Sequence, residues 1–361
     1  MDREYCYFRK GIDAAVHKCL SEGSFILRDQ VNDFEMNIGA MLGNVQCIGV
    51  NSGTDALNII LNFAKIPKGS EIIVSSHTFV STITAVTNSG HVPVFCDIDI
   101  NGNMNINALK KIINKNTKGI LVTHMNGLMI DMGEIVKLAD QSNLIVFEDA
   151  AQAFGSTENG RPPGALSSAA AFSLHPLKTL SVAGDGGFIV TKDEELAIKS
   201  KAYRNLGQLR KGFYEINGCN SRLDNIQAAI ANVKLAEISL LINKRKYHAS
   251  NYINSLKNIK AIKLPDLNFE NFNHTFSNFV INVQNRNKLA ESLLKNGVEV
   301  MIHWQPAVFE LEIFKHYVKN TSSLKSAKKY IDSCLSIPIS PWMYDEERNF
   351  VVSKIKEFYE V

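Results

Sequence analysis

The sequence predicts an α/β protein: a three-layer sandwich around a mostly parallel mixed sheet, followed by a smaller C-terminal α+β domain. Two observations lead to this prediction. Between about residue 45 and residue 191, short runs rich in β-branched residues alternate with amphipathic stretches, which is typical of a parallel sheet covered by helices on both faces. A long helical tract at 223–254 then breaks the alternation, and a shorter mixture of strands and helices follows it.

The first unit contains six expected strands, at residues 72–74, 92–96, 120–123, 144–147, 170–174 and 187–191. Helices are expected between most of them, at residues 55–64, 81–88, 105–115 and 131–141. The last two strands have no helix between them, so they could pair antiparallel at an edge of the sheet.

A long charged tract at 223–254 has apolar residues at helical spacing and is predicted to be helical. Strands are then expected at 259–262 and 276–283, and helices at 288–296, 323–335 and 346–360. We therefore predict a large domain over residues 1–245, with an N-terminal helical segment, and a small domain over residues 246–361. No long flexible linker separates them, so we expect them to pack closely.

Charge and composition exclude several classes of protein. The chain of 361 residues has 39 Lys and Arg against 36 Asp and Glu, a net charge of +3. This balance argues against a dedicated nucleic-acid binder, which normally has a strong basic excess. No apolar run approaches the roughly 18 residues of a membrane span. The charged N-terminus differs from a signal peptide.

The six cysteines are scattered, with no Cys-x-x-Cys pair. We expect free thiols in a reducing compartment rather than disulfides or a metal site, and hence a cytoplasmic protein.

Three segments have residues suited to chemistry at strand ends, where ligands bind in open α/β sheets. The first, Asn-Ser-Gly-Thr-Asp at 51–55, precedes a helix. Its Gly53 permits close backbone approach, and free N–H groups at a helix N-terminus favour an anion such as phosphate. The same residues also form an ordinary helix cap, and this alternative stays open.

The second segment is an apolar strand that ends in Glu148 and Asp149. Because side chains alternate along a strand, one of these carboxylates is expected to face a strand-end cleft. It could hold a protonated heterocyclic nitrogen, bind a metal or cap a helix. Gln152 would lie nearby if the chain turns into a helix.

The third segment leads from a strand into a loop with Pro176 and Lys178, and then into Gly-Asp-Gly-Gly at 184–187. Alone, these features indicate a solvated lysine and a turn. In combination, the three segments match the needs of pyridoxal phosphate (PLP): a lysine for the Schiff base, an acid against the pyridine nitrogen and a phosphate cradle. Phe79, just after a strand, supplies an aromatic ring that could stack on the cofactor.

The chain resembles the sugar aminotransferases of the DegT/DnrJ/StrS type, PLP enzymes of fold type I related to aspartate aminotransferase. The resemblance runs nearly end to end. It covers residues 23–27, 51–57, 93–99, 148–155, 172–187, 220–224, 227–229, 341–342 and 345–347.

The resemblance implies a role for each matched residue. Lys178 would form the Schiff base, Asp149 would pair with the pyridine nitrogen, and Gln152 would contact the ring face or its hydroxyl side. Phe79 would stack on the ring. The phosphate would be bound by Gly53, Thr54 and Ser173, and by Asn220 of the other subunit of an obligate homodimer with composite active sites.

The implied reaction is a two-stage ping-pong transfer from L-glutamate to a keto sugar, with Lys178 moving the proton. His175 and His303 are candidate substrate contacts, but each could equally be a local hydrogen-bond partner. Arg222 could hold a carboxylate or phosphate of the substrate, or form a salt bridge.

Some positions depart from the family's pattern, among them Thr179, Cys219 and the strings at 124–129 and 303–306. They cluster where the substrate would lie. The Gly-Asp-Gly-Gly string favours similarity to those members of the family that aminate carbon 3 of a nucleotide-linked sugar. Alternatives are a small phosphorylated ketone as acceptor, a PLP-dependent dehydratase, a regulatory PLP-binding protein or an unrelated ligand-binding protein. Lys178 favours transamination, since the dehydratase branch has histidine there.

Overall fold

The computed structural model describes residues 2–265, 271–318 and 323–360. The helices are α1 (Asp2–Ser21), α2 (Asp29–Met41), α3 (Gly53–Asn62), α4 (Val80–Asn88), α5 (Ile106–Ile112), α6 (Met132–Ser142), α7 (Glu194–Tyr203), α8 (Asn225–Leu235), α9 (Ile238–Leu256), α10 (Arg286–Lys295), α11 (Lys325–Ser333) and α12 (Asp345–Phe358). Short 3₁₀ segments lie at Met125–Gly127, Val308–Glu310 and Glu312–Tyr317.

The strands form one large sheet and several small ones. They are β1 (Gln46–Val50), β2 (Glu71–Ser75), β3 (Val92–Cys96), β4 (Thr117–Thr123), β5 (Ile145–Asp149), β6 (Thr157–Glu158), β7 (Ala169–Ser173), β8 (Gly187–Thr191), β9 (Gln208–Arg210), β10 (Phe213–Tyr214), β11 (Ile262–Lys263), β12 (Phe272–Asn273), β13 (Phe279–Val283) and β14 (Cys334–Ile337).

The large sheet has seven strands in the order β1-β8-β7-β5-β4-β2-β3. Strands β7, β5, β4, β2 and β3 pair in parallel, whereas β8 is antiparallel to both of its neighbours, β1 and β7. The predicted mixed, mostly parallel sheet is thus confirmed, and so is the antiparallel pairing of its last two strands. Their expected place at the edge is wrong, because β1 covers the outer side of β8.

Alternating side chains of the strands pack against helices on both faces of this sheet. On one face Ile72 and Val74 of β2 join a core with α3 and α4. On the other face Ile73 packs with α5 and α6, while Phe172 and Phe188 stack with ring centroids 4.5 Å apart in the core beneath α2 and α8. The structure is therefore the predicted three-layer sandwich.

The C-terminal part has its own three-stranded antiparallel sheet, in the order β11-β13-β14. Its core lies between this sheet and α9, α10 and α12. Val280 and the residues of α11 also join the core of the large sheet, so the two parts pack closely. The proposed boundary between residues 245 and 246 stays a prediction, and it falls inside α9.

Two helix predictions were wrong in detail. The tract at 223–254 is two helices, α8 and α9, with a bend of 64° between them. The predicted helix 323–335 ends at Ser333, and the chain continues directly as β14, paired with β13. In the described part of the chain no single helix is long and apolar enough to span a membrane, although the bent α8–α9 pair meets those criteria when taken together. All six cysteines are free, as predicted.

Candidate active site

A cavity of about 740 Å³ lies at the carboxyl ends of β4, β5 and β7, beside the start of α3. Residues 277–278, 301, 303–304 and 336–343 of the C-terminal part form its other wall. Nine of the eleven predicted site residues line it: Gly53, Thr54, Phe79, Asp149, Gln152, Ser173, His175, Lys178 and His303. The sheet therefore brings together residues that are distant in the sequence.

The start of α3 forms a cradle for an anion. Ser52 caps the helix by accepting a hydrogen bond from the Asp55 amide at 3.0 Å, so the cap interpretation of this segment is correct. The cap leaves the amides of Gly53 and Thr54 without helical acceptors, because these residues begin the helix. Ser173 Oγ accepts from the His175 amide at 3.3 Å, so its own proton can be donated to an anion.

Two glycines allow the backbone to come close at this cradle. A Cβ atom at Gly53 would lie 2.8 Å from Cβ of Ser173. A Cβ atom at Gly187 would lie 2.4 Å from the carbonyl carbon of Ser52 and 2.6 Å from the nitrogen of Gly53. The Gly-Asp-Gly-Gly segment thus lets β8 pack directly against the turn that starts α3.

Asp149 is the buried carboxylate of the cavity. Its Oδ2 accepts from Thr82 Oγ1 at 2.6 Å, and its Oδ1 accepts from the Ala151 amide at 3.1 Å. Glu148 points to the other side of β5, where its carboxylate accepts from His124 Nε2 at 2.7 Å. His124 Nδ1 in turn accepts from the Ile130 amide, which assigns the proton to Nε2. The alternation argument is confirmed.

Lys178 lies half-buried in the loop after β7, where its amide donates to the His175 carbonyl at 2.8 Å. Desolvation by burial lowers the pKa of the Lys178 amine, and the charge of Asp149 partly opposes this effect. The amine is therefore deprotonated more easily than that of an exposed lysine, as a group that moves protons requires.

Gln152 and Phe79 complete the wall beside Asp149. Gln152 Oε1 accepts from the Asn126 amide at 2.7 Å and from Asn278 Nδ2 at 3.3 Å. The half-exposed ring of Phe79 lies 5.3 Å from that of Trp304, centroid to centroid. Trp304 belongs to the string at 303–306 that departs from the family's pattern, and no sequence motif pointed to Asn278.

The three candidate substrate contacts differ in environment. His303 is 91% buried, and its Nδ1 has no hydrogen-bond partner among the residues that the structure describes. Burial lowers the pKa of its ring to about 4. His175 is exposed, and its Nδ1 accepts from the Leu177 amide. Arg222 does not line the cavity. Its guanidinium donates to Asn205 Oδ1 at 3.1 Å. Asn205 is an amide and not an acid, so this bond is not the salt bridge that was the alternative to substrate binding.

Residues 7–356 match the model of the DegT/DnrJ/EryC1/StrS aminotransferase family. The chain belongs to this family. One relative, dTDP-3-amino-3,6-dideoxy-alpha-D-galactopyranose transaminase of Aneurinibacillus thermoaerophilus, is 35% identical, and the alignment covers 97% of this chain and 96% of the relative.

Solved structures agree with the assignment. DesV of S. venezuelae, in complex with a ketimine intermediate, has a TM-score of 0.95 and 32% identity over 99% of this chain and 96% of its own. NtdA of Bacillus subtilis, with bound cofactor PMP, has a TM-score of 0.90 and 28% identity over 98% of this chain and 82% of its own. The chain is thus a PLP-dependent aminotransferase, and the predicted resemblance, fold type and cofactor are confirmed.

The cavity of the aminotransferase fits this cofactor. Free amides at the start of α3 and the Ser173 hydroxyl suit a phosphate, and glycine leaves room beside them. Asp149 offers a buried negative charge for a ring nitrogen, Lys178 an amine, and Phe79 an aromatic face. Asn220 is exposed and does not line the cavity of its own chain.

Gly187→Ala tests the cradle. We expect the new methyl group to displace the turn at Ser52 and to weaken PLP binding about tenfold or more. Titration of the apoprotein with PLP, followed by absorbance, measures the dissociation constant. Gly133→Ala in α6 is the matched control, because its nearest new contact is the Asp131 side chain at 3.3 Å. Equal affinities of the two variants would contradict the cradle.

The burial of neutral His303 predicts a pH effect on stability. Between pH 6.5, the ordinary pKa of histidine, and about pH 4, the unfolded chain binds a proton here that the folded chain does not. Stability is therefore lost as the pH falls through this window. The melting temperature of His303→Gln should fall less between pH 7 and pH 5 than that of the wild type. The exposed His175→Gln should behave as the wild type, and a His303→Gln variant with the wild-type loss would refute this account.

Proposed function

We propose that this aminotransferase moves an amino group from L-glutamate to the carbon-3 keto group of a nucleotide-linked sugar. The observation that carries the proposal is the near full-length similarity to a relative whose name specifies a dTDP-linked 3-amino sugar as product. Two features of the chain support it: the Gly-Asp-Gly-Gly string at 184–187, and a cavity large enough for a sugar beside the cofactor.

The proposed roles follow from the positions of the side chains. The amides of Gly53 and Thr54 and the Ser173 hydroxyl bind the phosphate. Asp149 keeps a negative charge at the ring nitrogen. PLP, when bound, supplies the electron sink for cleavage of the C–H bond beside the substrate nitrogen.

Lys178 Nζ accepts the proton from that carbon and returns it during the second half of the reaction. Its lowered pKa supports this role, because a neutral amine is needed to accept a proton. The walls formed by Phe79, Trp304 and Gln152 orient the ring and exclude water from it. We keep His303 as a candidate contact for a sugar hydroxyl.

Lys178→Ala tests the catalytic assignment. We expect the amino transfer to slow by about a hundredfold or more, because the group that moves the proton is lost. The assay measures 2-oxoglutarate released from glutamate with 3-keto and 4-keto nucleotide sugars and small phosphorylated ketones as acceptors. The control is Lys192→Ala, since Lys192 is exposed at the far end of β8.

A wild-type rate for Lys178→Ala would refute the role of the lysine. Turnover by the wild type with phosphorylated ketones alone would refute the sugar acceptor, and turnover with 4-keto sugars alone would refute carbon 3. No response to any ketone would contradict the whole proposal.

We further propose that the enzyme is a cytoplasmic homodimer in which Asn220 contacts the phosphate bound by the partner subunit. The exposed position of Asn220, outside the cavity of its own chain, supports this role.

Mixing two inactive variants tests the composite site. Lys178→Ala and Asn220→Ala dimers, each weak alone, should regain about one quarter of wild-type activity after subunit exchange, because half of the dimers are mixed and each holds one intact site. Light scattering measures the oligomeric state. A monomer, or a mixture with no regain of activity despite exchanged subunits, would contradict the composite site.

A further inference from the structure

Three threonine hydroxyls form a buried chain that ends on Asp149. Thr82 Oγ1 donates to Asp149 Oδ2 at 2.6 Å, Thr82 and Thr78 are joined at 2.7 Å, and Thr78 and Thr123 are joined at 2.9 Å. These threonines are at least 95% buried. They come from the loop after β2, from α4 and from the end of β4. The hydrogen bonds therefore join three separate segments to Asp149 at the end of β5.

The direction of this chain is fixed by the number of protons. Each hydroxyl has one proton to donate. Thr82 gives its proton to Asp149, so in the bond to Thr78 it is the acceptor. Thr78 then has no proton left for Thr123, and Thr123 is the donor in that bond. All three hydroxyl dipoles therefore point their protons toward the carboxylate of Asp149.

A chain of hydrogen bonds aligned in one direction polarises each member and strengthens the last bond. A hydrogen bond donated to a carboxylate favours its ionised form. With the Ala151 amide on Oδ1 at 3.1 Å, Thr82 on Oδ2 also fixes the plane of the carboxylate. The arrangement therefore orients the Asp149 carboxylate and gives each of its oxygens a hydrogen-bond donor.

We propose that Thr82, supported by Thr78 and Thr123, is a positioning residue of the aminotransferase that holds the Asp149 carboxylate oriented toward the ring nitrogen of the cofactor. The inference rests on the proposed role of Asp149. It adds that the interaction of this carboxylate with the ring nitrogen depends on a hydroxyl that does not line the cavity.

The alternative is a purely structural role, in which the hydroxyls only tie α4 to β4 and β5. The two roles differ in what they change. A structural bond affects stability, whereas a positioning bond also changes the electronic state of the bound cofactor. Without the Thr82 hydroxyl, the Asp149 carboxylate would lose one of its two described hydrogen bonds and would hold the ring nitrogen less firmly. A bound cofactor with a weaker partner at its ring nitrogen would withdraw electrons less strongly, and the group whose protonation changes its absorbance would become more basic.

The test compares Thr82→Val, Thr82→Ser, Asp149→Asn and Thr191→Val as holoenzymes. The readouts are the pH midpoint of the cofactor's absorbance change, the turnover rate and the melting temperature. Thr191 is the matched control, because its buried hydroxyl donates to the Ser168 carbonyl at 2.7 Å at the end of β8 that pairs with the first residue of β7.

We expect Thr82→Val to raise the pH midpoint by about half a unit or more and to lower turnover about tenfold. Thr82→Ser should restore both values, and Thr191→Val should lower only the melting temperature. If Thr82→Val does not fold, Thr78→Val takes its place, with a smaller shift in the same direction.

Two negative results have different meanings. An unchanged midpoint in Thr82→Val, or in Thr78→Val where that variant replaces it, together with a shifted midpoint in Asp149→Asn, would overturn the positioning role and leave the role of Asp149 intact. An unchanged midpoint in Asp149→Asn would refute the proposed role of Asp149 itself. A shift in Thr191→Val equal to that in Thr82→Val would also overturn the inference.

Discussion

The buried carboxylate of Asp149 is the group on which the organisation of the cavity depends. Removing a charge from water is costly unless hydrogen bonds or an opposite charge compensate. Its described hydrogen-bond donors are both neutral, the Thr82 hydroxyl and the Ala151 amide. Burial lowers the pKa of the Lys178 amine, and the carboxylate is close enough to oppose that lowering in part. A protonated ring nitrogen would complete this compensation. The parallel strands place all of these groups at one edge of the sheet.

Much of the fold could be predicted from local patterns. The alternation of apolar runs and amphipathic helices identified six strands of the large sheet, because a buried parallel sheet needs continuous apolar strands. Strand β1 was not predicted. It pairs with β8, and a local sequence pattern does not reveal a pairing between such distant segments. The break between α8 and α9 was hidden because apolar spacing continues through it. The residues Cys334–Ile337 extended a helical pattern, but tertiary pairing with β13 made them a strand.

The site was predictable where the chemistry is local in sequence. Strand alternation separated Asp149 from Glu148, and the Asn-Ser-Gly-Thr-Asp string at the start of α3 indicated either an anion cradle or an ordinary helix cap. Contacts between distant segments were not predictable in this way. Trp304 reaches Phe79 from the C-terminal part, and Thr82 of α4 reaches Asp149 at the end of β5. Thr78 and Thr82 lie four residues apart just after a strand, which places both on one side of a helical turn. The same spacing also occurs on ordinary helix surfaces, so it did not identify the contact with Asp149.

A crystal structure of the aminotransferase with PLP bound would test the central claim most directly. Its decisive measurement is the distance from the cofactor's ring nitrogen to the carboxylate of Asp149. We expect a hydrogen bond between them, with the phosphate on the amides of Gly53 and Thr54 and with Thr82 still hydrogen-bonded to the carboxylate. A ring nitrogen that faces solvent, or a phosphate bound away from the start of α3, would contradict it.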